Sequence, residues 1–66
     1  MKNSIREERA RKKITQKKLA EKVNVSRQSI HAIESGKFVP SSVLALKISN
    51  VLQKNLEDIF SLENTD

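Results

Sequence analysis

The sequence predicts an all-α fold, a bundle of five short helices. Three observations predict it. Val and Ile never fall in alternating runs and the only aromatics are Phe38 and Phe60, so strand signals are missing. Residues that cap and stop helices recur at short intervals. Between them, apolar residues repeat at helical spacing.

Each element follows from its punctuation. Asn3 or Ser4 can cap a first helix running to about Lys12. Thr15 can cap a second, from Gln16 to Val23, and Ser26 a third, from Arg27 to Ser35, with Gly36 as its left-handed stop. Ser41 or Ser42, just after Pro40, starts a fourth that reaches about Leu52. Asn55 caps a short fifth with Glu57 and Asp58 in its first turn, where carboxylates suit the helix dipole. The tail Ser61–Asp66 is polar apart from Leu62 and is expected to fray. The expected core joins Leu19, Ala20 and Val23, then Ile30 and Ile33, then the stripe Leu44, Ile48, Val51 and Leu52. Ile5, Ile14, Val25, Leu56 and Ile59 close it. Val43 and Leu46 point away from that stripe and are left over.

Sixty-six residues suffice for one domain, residues 1–66, and not for a two-lobed enzyme with a deep cleft. Twenty residues are Val, Ile, Leu, Phe or Met. For so few, area burial and chain entropy nearly cancel, so help from dimerisation is expected. There is no Cys, which excludes disulfides and thiolate metal sites, and the lone His31 has no metal-ligating neighbours. No apolar run is long enough for a membrane span or a signal peptide. No cofactor, small-molecule ligand or membrane partner is expected, and the cytoplasm is the expected compartment.

Charge is unevenly placed. Residues 1–40 hold eleven Lys/Arg against four Asp/Glu, while residues 41–66 hold two against four. A basic N-terminal part backed by a mildly acidic C-terminal part suits a nucleic-acid face, although a solvated helix surface has the same composition.

The strongest pattern runs over about 16–35. Counted from Gln16, apolar residues stand at positions four, eight, ten, fifteen and eighteen, namely Leu19, Val23, Val25, Ile30 and Ile33. Position five is Ala20 and position nine is Asn24. Two helices crossing steeply need a small residue where their axes approach, which Ala20 supplies. The turn between them needs a residue that tolerates positive φ, which Asn does better than most. Val25 then plugs the corner and Ser26 caps the next helix. This is the helix-turn-helix pattern.

Such a third helix fits the major groove of DNA. With Ile30 and Ile33 inward, its outward residues are Arg27, Gln28 and His31, with Ala32 beside them. Arg27 can read guanine through O6 and N7, Gln28 can pair bidentately with adenine, and Ala32 offers a methyl to thymine. Phosphate contacts are expected from Gln16 and Lys17 at the start of the second helix, from Ser29, and from Lys37 and Phe38 after the third.

The run from Ile14-Thr15-Gln16 through Val25-Ser26-Arg27-Gln28-Ser29-Ile30 and Ile33-Glu34-Ser35-Gly36-Lys37 to Leu44-Ala45-Leu46-Lys47-Ile48 resembles the Cro and phage-repressor (Xre) family of regulators. The resemblance covers roughly residues 3–60 and is closest to the minimal sub-group made of little else. It implies a five-helix bundle that binds double-stranded DNA as a homodimer, with base reading at Arg27, Gln28, His31 and Ala32. It also implies that Gln16 contacts phosphate and braces the recognition helix, and that Arg9 and Glu34 form a buried pair. Such a pair is reasonable on the residues alone, because Glu34 follows Ile33 beside the core. Three positions depart from the family pattern. Glu8 stands where an apolar residue is common, which predicts loose packing of the first helix. Lys13 stands where Gly is common, which predicts either strain or a different bend in that turn. Ser42 and Val43 reverse the usual apolar and polar order at the start of the fourth helix.

The expected function is therefore a sequence-specific transcriptional regulator, a repressor on a palindromic operator, with Val43, Leu46, Phe60 and Leu62 as the dimer patch and the nucleoid as its place of action. The alternative is an antitoxin-type module whose main partner is a protein. Related modules wrap their partner with a tail, and only six residues follow Phe60 in this sequence. An enzyme is not expected. Glu7 with Glu8, and Glu57 with Asp58, are adjacent carboxylates that diverge on a helix, and no nucleophile–base pair or phosphate loop exists. RNA binding lacks stacking aromatics.

Overall fold

Four of the helices are stopped by a residue with left-handed backbone, directly after the first, second and fourth and one position later, at Gly36, after the third, and these stops set the architecture. A computed structural model describes residues 1–64, in the order β1 (Lys2–Asn3), α1 (Ile5–Lys12), α2 (Gln16–Val23), α3 (Arg27–Glu34), α4 (Ser42–Leu52), α5 (Leu56–Ile59) and β2 (Phe60–Ser61). Lys13, Asn24, Gly36 and Gln53 follow α1, α2, α3 and α4 with φ near +58°, +60°, +81° and +58°. At each stop two successive amides turn back onto the helix: at α2, Asn24 N–H donates to the Glu21 carbonyl and Val25 N–H to that of Ala20. Carbonyls that helix ends leave unpaired are thereby satisfied.

Helix starts are equally local. Thr15, Ser26 and Ser41 hydroxyls accept from the amides of Lys18, Ser29 and Leu44 at 3.0, 3.1 and 3.2 Å. Each such cap contributes about 1 kcal/mol. At α1 the two expected candidates, Asn3 and Ser4, divide. Ser4 occupies the cap position without capping, and its hydroxyl donates to the Asp58 carbonyl instead. The Asn3 side chain takes over, accepting from Ile5 N–H at 3.2 Å. Asn55, expected to cap α5, likewise makes no side-chain cap bond.

The Lys13 turn has the left-handed backbone that strains a side chain, as the Gln53 turn also does. A β-carbon in this region meets the following carbonyl, at a cost of about 1–2 kcal/mol, and Lys lacks the local bonding that eases Asn24. Lys13→Gly is expected to raise stability by about 0.5–1 kcal/mol once the extra freedom of Gly in the unfolded chain is subtracted. That is roughly 2–8 °C in Tm for a domain this size. A melting curve that stays put or moves down contradicts the assignment.

Nine residues form the buried cluster: Ile5, Leu19, Ala20, Val23, Ile30, Ile33, Ile48, Leu52 and Ile59. Ile14, Val25, Leu44, Val51 and Phe60 pack around it. Two expectations need correction. Leu56, expected inside, is exposed, because α5 is a single turn and only its last residue, Ile59, reaches the core. On α4 the expected Ile48 and Leu52 are buried and Leu44 and Val51 only flank them, while Ala45 and Ser49 complete the buried face; Ser49 is tolerated there because its hydroxyl donates to the Ala45 carbonyl at 2.9 Å. Glu8 does not loosen α1: it is buried, with Arg11 Nη1 3.6 Å from its carboxylate.

A two-stranded antiparallel ladder was not expected. Lys2 pairs with Ser61 and Asn3 with Phe60. Ser61, expected to fray, is thus part of β2, and Leu62 beyond it is exposed; the expectation for Thr65 and Asp66 lies outside the described residues. Asn3 then does a second task. Its Nδ2 donates to the Ile33 carbonyl at 2.8 Å, tying the ladder to the end of α3.

Candidate nucleic-acid interface

The sharp turn at Asn24 brings α3 across α2 and leaves one side of it open. Ile30 and Ile33 face the core, and Arg27, Gln28 and His31 are exposed. Ala32 and Ser29 are half-buried. The outer residues form two rows at one-turn spacing, Arg27 with His31 and Gln28 with Ala32. The first row leans toward α1 and α2. Arg27 shares a cleft of about 580 Å³ with Arg9, Thr15, Gln16 and Lys17. His31 shares a second, of about 340 Å³, with Arg6, Arg9, Gln16, Glu34 and Ser35.

The open end of α2 faces the first cleft. Thr15 engages only the Lys18 amide, so Gln16 and Lys17, the first two residues of the helix, have amides with no carbonyl behind them. These amides, the positive end of the helix dipole and the Lys17 ammonium suit an anion.

Beneath both clefts lies a fixed network. Arg9 meets Glu34 through two bonds, Nε to Oε2 at 2.8 Å and Nη2 to Oε1 at 3.3 Å. Arg9 Nη1 also donates to the Ile14 carbonyl at 2.9 Å, and Gln16 Nε2 donates to Glu34 Oε1 at 3.1 Å. The side chains of Arg9 and Glu34 are 16% and 7% exposed. Helices α1, α2 and α3 are therefore locked in register around one carboxylate. The Arg9–Glu34 pair was foreseen; the Ile14 bond was not, since a backbone acceptor leaves no mark in a sequence.

The remaining candidates divide. Lys37 is exposed beyond α3. Phe38 is corrected as a phosphate contact: its amide already donates to the Ala32 carbonyl at 3.2 Å, and its ring has no donor. The Lys37 amide is taken by the same carbonyl, so its ammonium is the group left for an anion. The Ser29 hydroxyl lies 3.0 Å from that of Ser26 within the α3 cap. On α4, Val43 and Leu46 are 64% and 53% exposed, and Leu62 is 76% exposed. Phe60 is half-buried against the core.

Among the described residues, no group of His, Asp or Glu could hold a metal ion, and no helix is long and apolar enough to cross a membrane.

A helix-turn-helix family model matches residues 5–59. An uncharacterized HTH-type transcriptional regulator of Bacillus subtilis, YgzD, is 51% identical over 63 residues, covering 96% of each chain. Another, from Methanocaldococcus jannaschii, is 47% identical over 66 residues and covers all of both chains. Among solved structures, the clp gene regulator ClgR from Corynebacterium glutamicum superposes with a TM-score of 0.77 at 31% identity. That match covers 82% of this chain, which spans 57% of the ClgR chain.

Proposed function

The chain belongs to the helix-turn-helix family and is a DNA-binding transcriptional regulator, and from that premise we propose that it is a homodimeric repressor reading a palindromic operator through the exposed rows of α3. The observation that carries this reading is the position of Arg27 and Gln28. They stand exposed in the first turn of a helix held rigidly over α2, beside unpaired amides that suit phosphate. Arg27 reads guanine and Gln28 adenine, His31 and Ala32 line the groove further along, and Gln16, Lys17, Ser29 and Lys37 hold the flanking phosphates. Repression needs nothing beyond occupancy: a chain held on an operator blocks whatever else must bind there. The chromosome within the cytoplasm is the place of action.

Dimerisation follows from operator geometry and from unused apolar surface. Two recognition helices in successive major grooves sit about 34 Å apart. The chain measures 31 × 21 × 20 Å, so two copies joined along the long dimension come close to that spacing. Val43 and Leu46 lie one turn apart on α4 and, with Leu62, supply exposed apolar surface for the contact, while Phe60 supports it from the core. Sedimentation with a duplex present is expected to give two chains per site; a single-chain complex contradicts the dimer.

Band-shift titration tests the reading positions. Arg27→Ala and Gln28→Ala are each expected to lose about 1–3 kcal/mol of discrimination at one base pair with folding intact. Lys37→Ala is expected to weaken cognate and scrambled duplexes alike. Equal losses on both duplexes for Arg27→Ala overturn its assignment.

A further inference from the structure

The first helix contributes a cation to the binding face that the recognition pattern does not contain. Arg6 stands on α1, outside the helix-turn-helix unit, and lines the 340 Å³ cleft with His31 and Ser35 of α3. That cleft shares Arg9 and Gln16 with the one holding Arg27 and Lys17, so the two are continuous. One surface thus runs from the start of α3, past the open end of α2, to α1.

Three features mark Arg6 as available to a ligand. It is exposed and, among the described residues, enters no ion pair. Arg11, Lys18 and Lys12 nearby are engaged, with Glu8, Glu21 and Gln53, whereas Arg6, like Lys17 in the adjoining cleft, is not. The carboxylate in the cleft already accepts from Arg9 twice and from Gln16 once, and it forms no ion pair with Arg6. An arginine left unpaired at the rim of a cleft whose acid is neutralised presents a planar fork of donors suited to a phosphate.

We propose that Arg6 binds a backbone phosphate of the DNA duplex, at the end of the face opposite Lys17 and flanking the groove entered by α3. The inference rests on the DNA reading given above and extends its footprint onto α1. The contact is to the backbone, so it adds affinity without base preference.

Salt-dependent titration of the full chain on cognate and scrambled duplexes tests it, with Arg6→Ala, Arg6→Gln and Lys54→Ala compared. Lys54 lies in a separate cleft with Glu8, Arg11 and Leu52 and serves as the charge control. Both Arg6 variants are expected to bind each duplex several-fold more weakly, with the log–log salt slope smaller in magnitude by about 0.9. Lys54→Ala is expected to leave the slope unchanged, and thermal melting is expected to show all three variants folded. If Arg6→Ala and Arg6→Gln match Lys54→Ala, the contact is refuted while the DNA reading stands. If the unsubstituted chain binds no duplex, both fall. A loss confined to the cognate duplex makes Arg6 a base reader and also overturns the proposal.

Discussion

Glu34→Ala is expected to destabilise the chain by about 3 kcal/mol, on the order of 15 °C in Tm. The reason is what the substitution leaves behind. Arg9 keeps only the Ile14 carbonyl, and its guanidinium remains mostly buried without a counter-charge. Gln16 Nε2 loses its acceptor at the same time. A buried ion pair need add little net stability, yet removing one partner exposes the full desolvation cost of the other. The double variant Arg9→Met, Glu34→Leu removes both charges and fills the same space. It is expected to recover most of the loss in a chemical denaturation experiment. A double variant as unstable as Glu34→Ala contradicts this account of the network.

Ala20→Leu is expected to cost about 1–3 kcal/mol and to displace α3 from α2. Ala20 is 3% exposed within the core cluster, and its carbonyl accepts from the Val25 amide that closes the turn between α2 and α3. Three added carbons cannot fit without separating the helices or opening that bond. The same substitution at exposed Ala10 on α1 serves as the control and is expected to stay within about 0.5 kcal/mol. Because α3 carries the reading residues, Ala20→Leu is also expected to weaken duplex binding even where the chain remains folded. An unchanged melting temperature contradicts the crossing geometry.

What was legible in the sequence is what is encoded locally. Thr15, Ser26 and Ser41 mark helix starts through bonds that span three residues, and Asn24 and Gly36 mark stops through their backbone preference. The exposure of Arg27 and Gln28 followed from Ile30 and Ile33 taking the inward face. The failures have the opposite character. The ladder between Lys2–Asn3 and Phe60–Ser61 has two residues a side, too few for periodicity, and joins the ends of the chain. The bond from Asn3 to the Ile33 carbonyl spans thirty positions and ends on a backbone atom. On α4, Ala45 and Ser49 are buried beside the expected Ile48 and Leu52, and a small or polar residue signals burial more weakly than Leu44 and Val51 do. Phe38 was read as a phosphate contact from its place after α3, but the turn at Gly36 consumes its amide.

Selection of bound duplexes from random DNA tests the central claim most directly, run in parallel for the unsubstituted chain and Arg27→Ala. The account predicts an enriched motif of two inverted half-sites with centres about 34 Å apart, and the loss of one base-pair preference in each half-site when Arg27 is removed. A pool that stays random, or a motif that Arg27→Ala leaves intact, contradicts the claim that the exposed rows of α3 read the duplex.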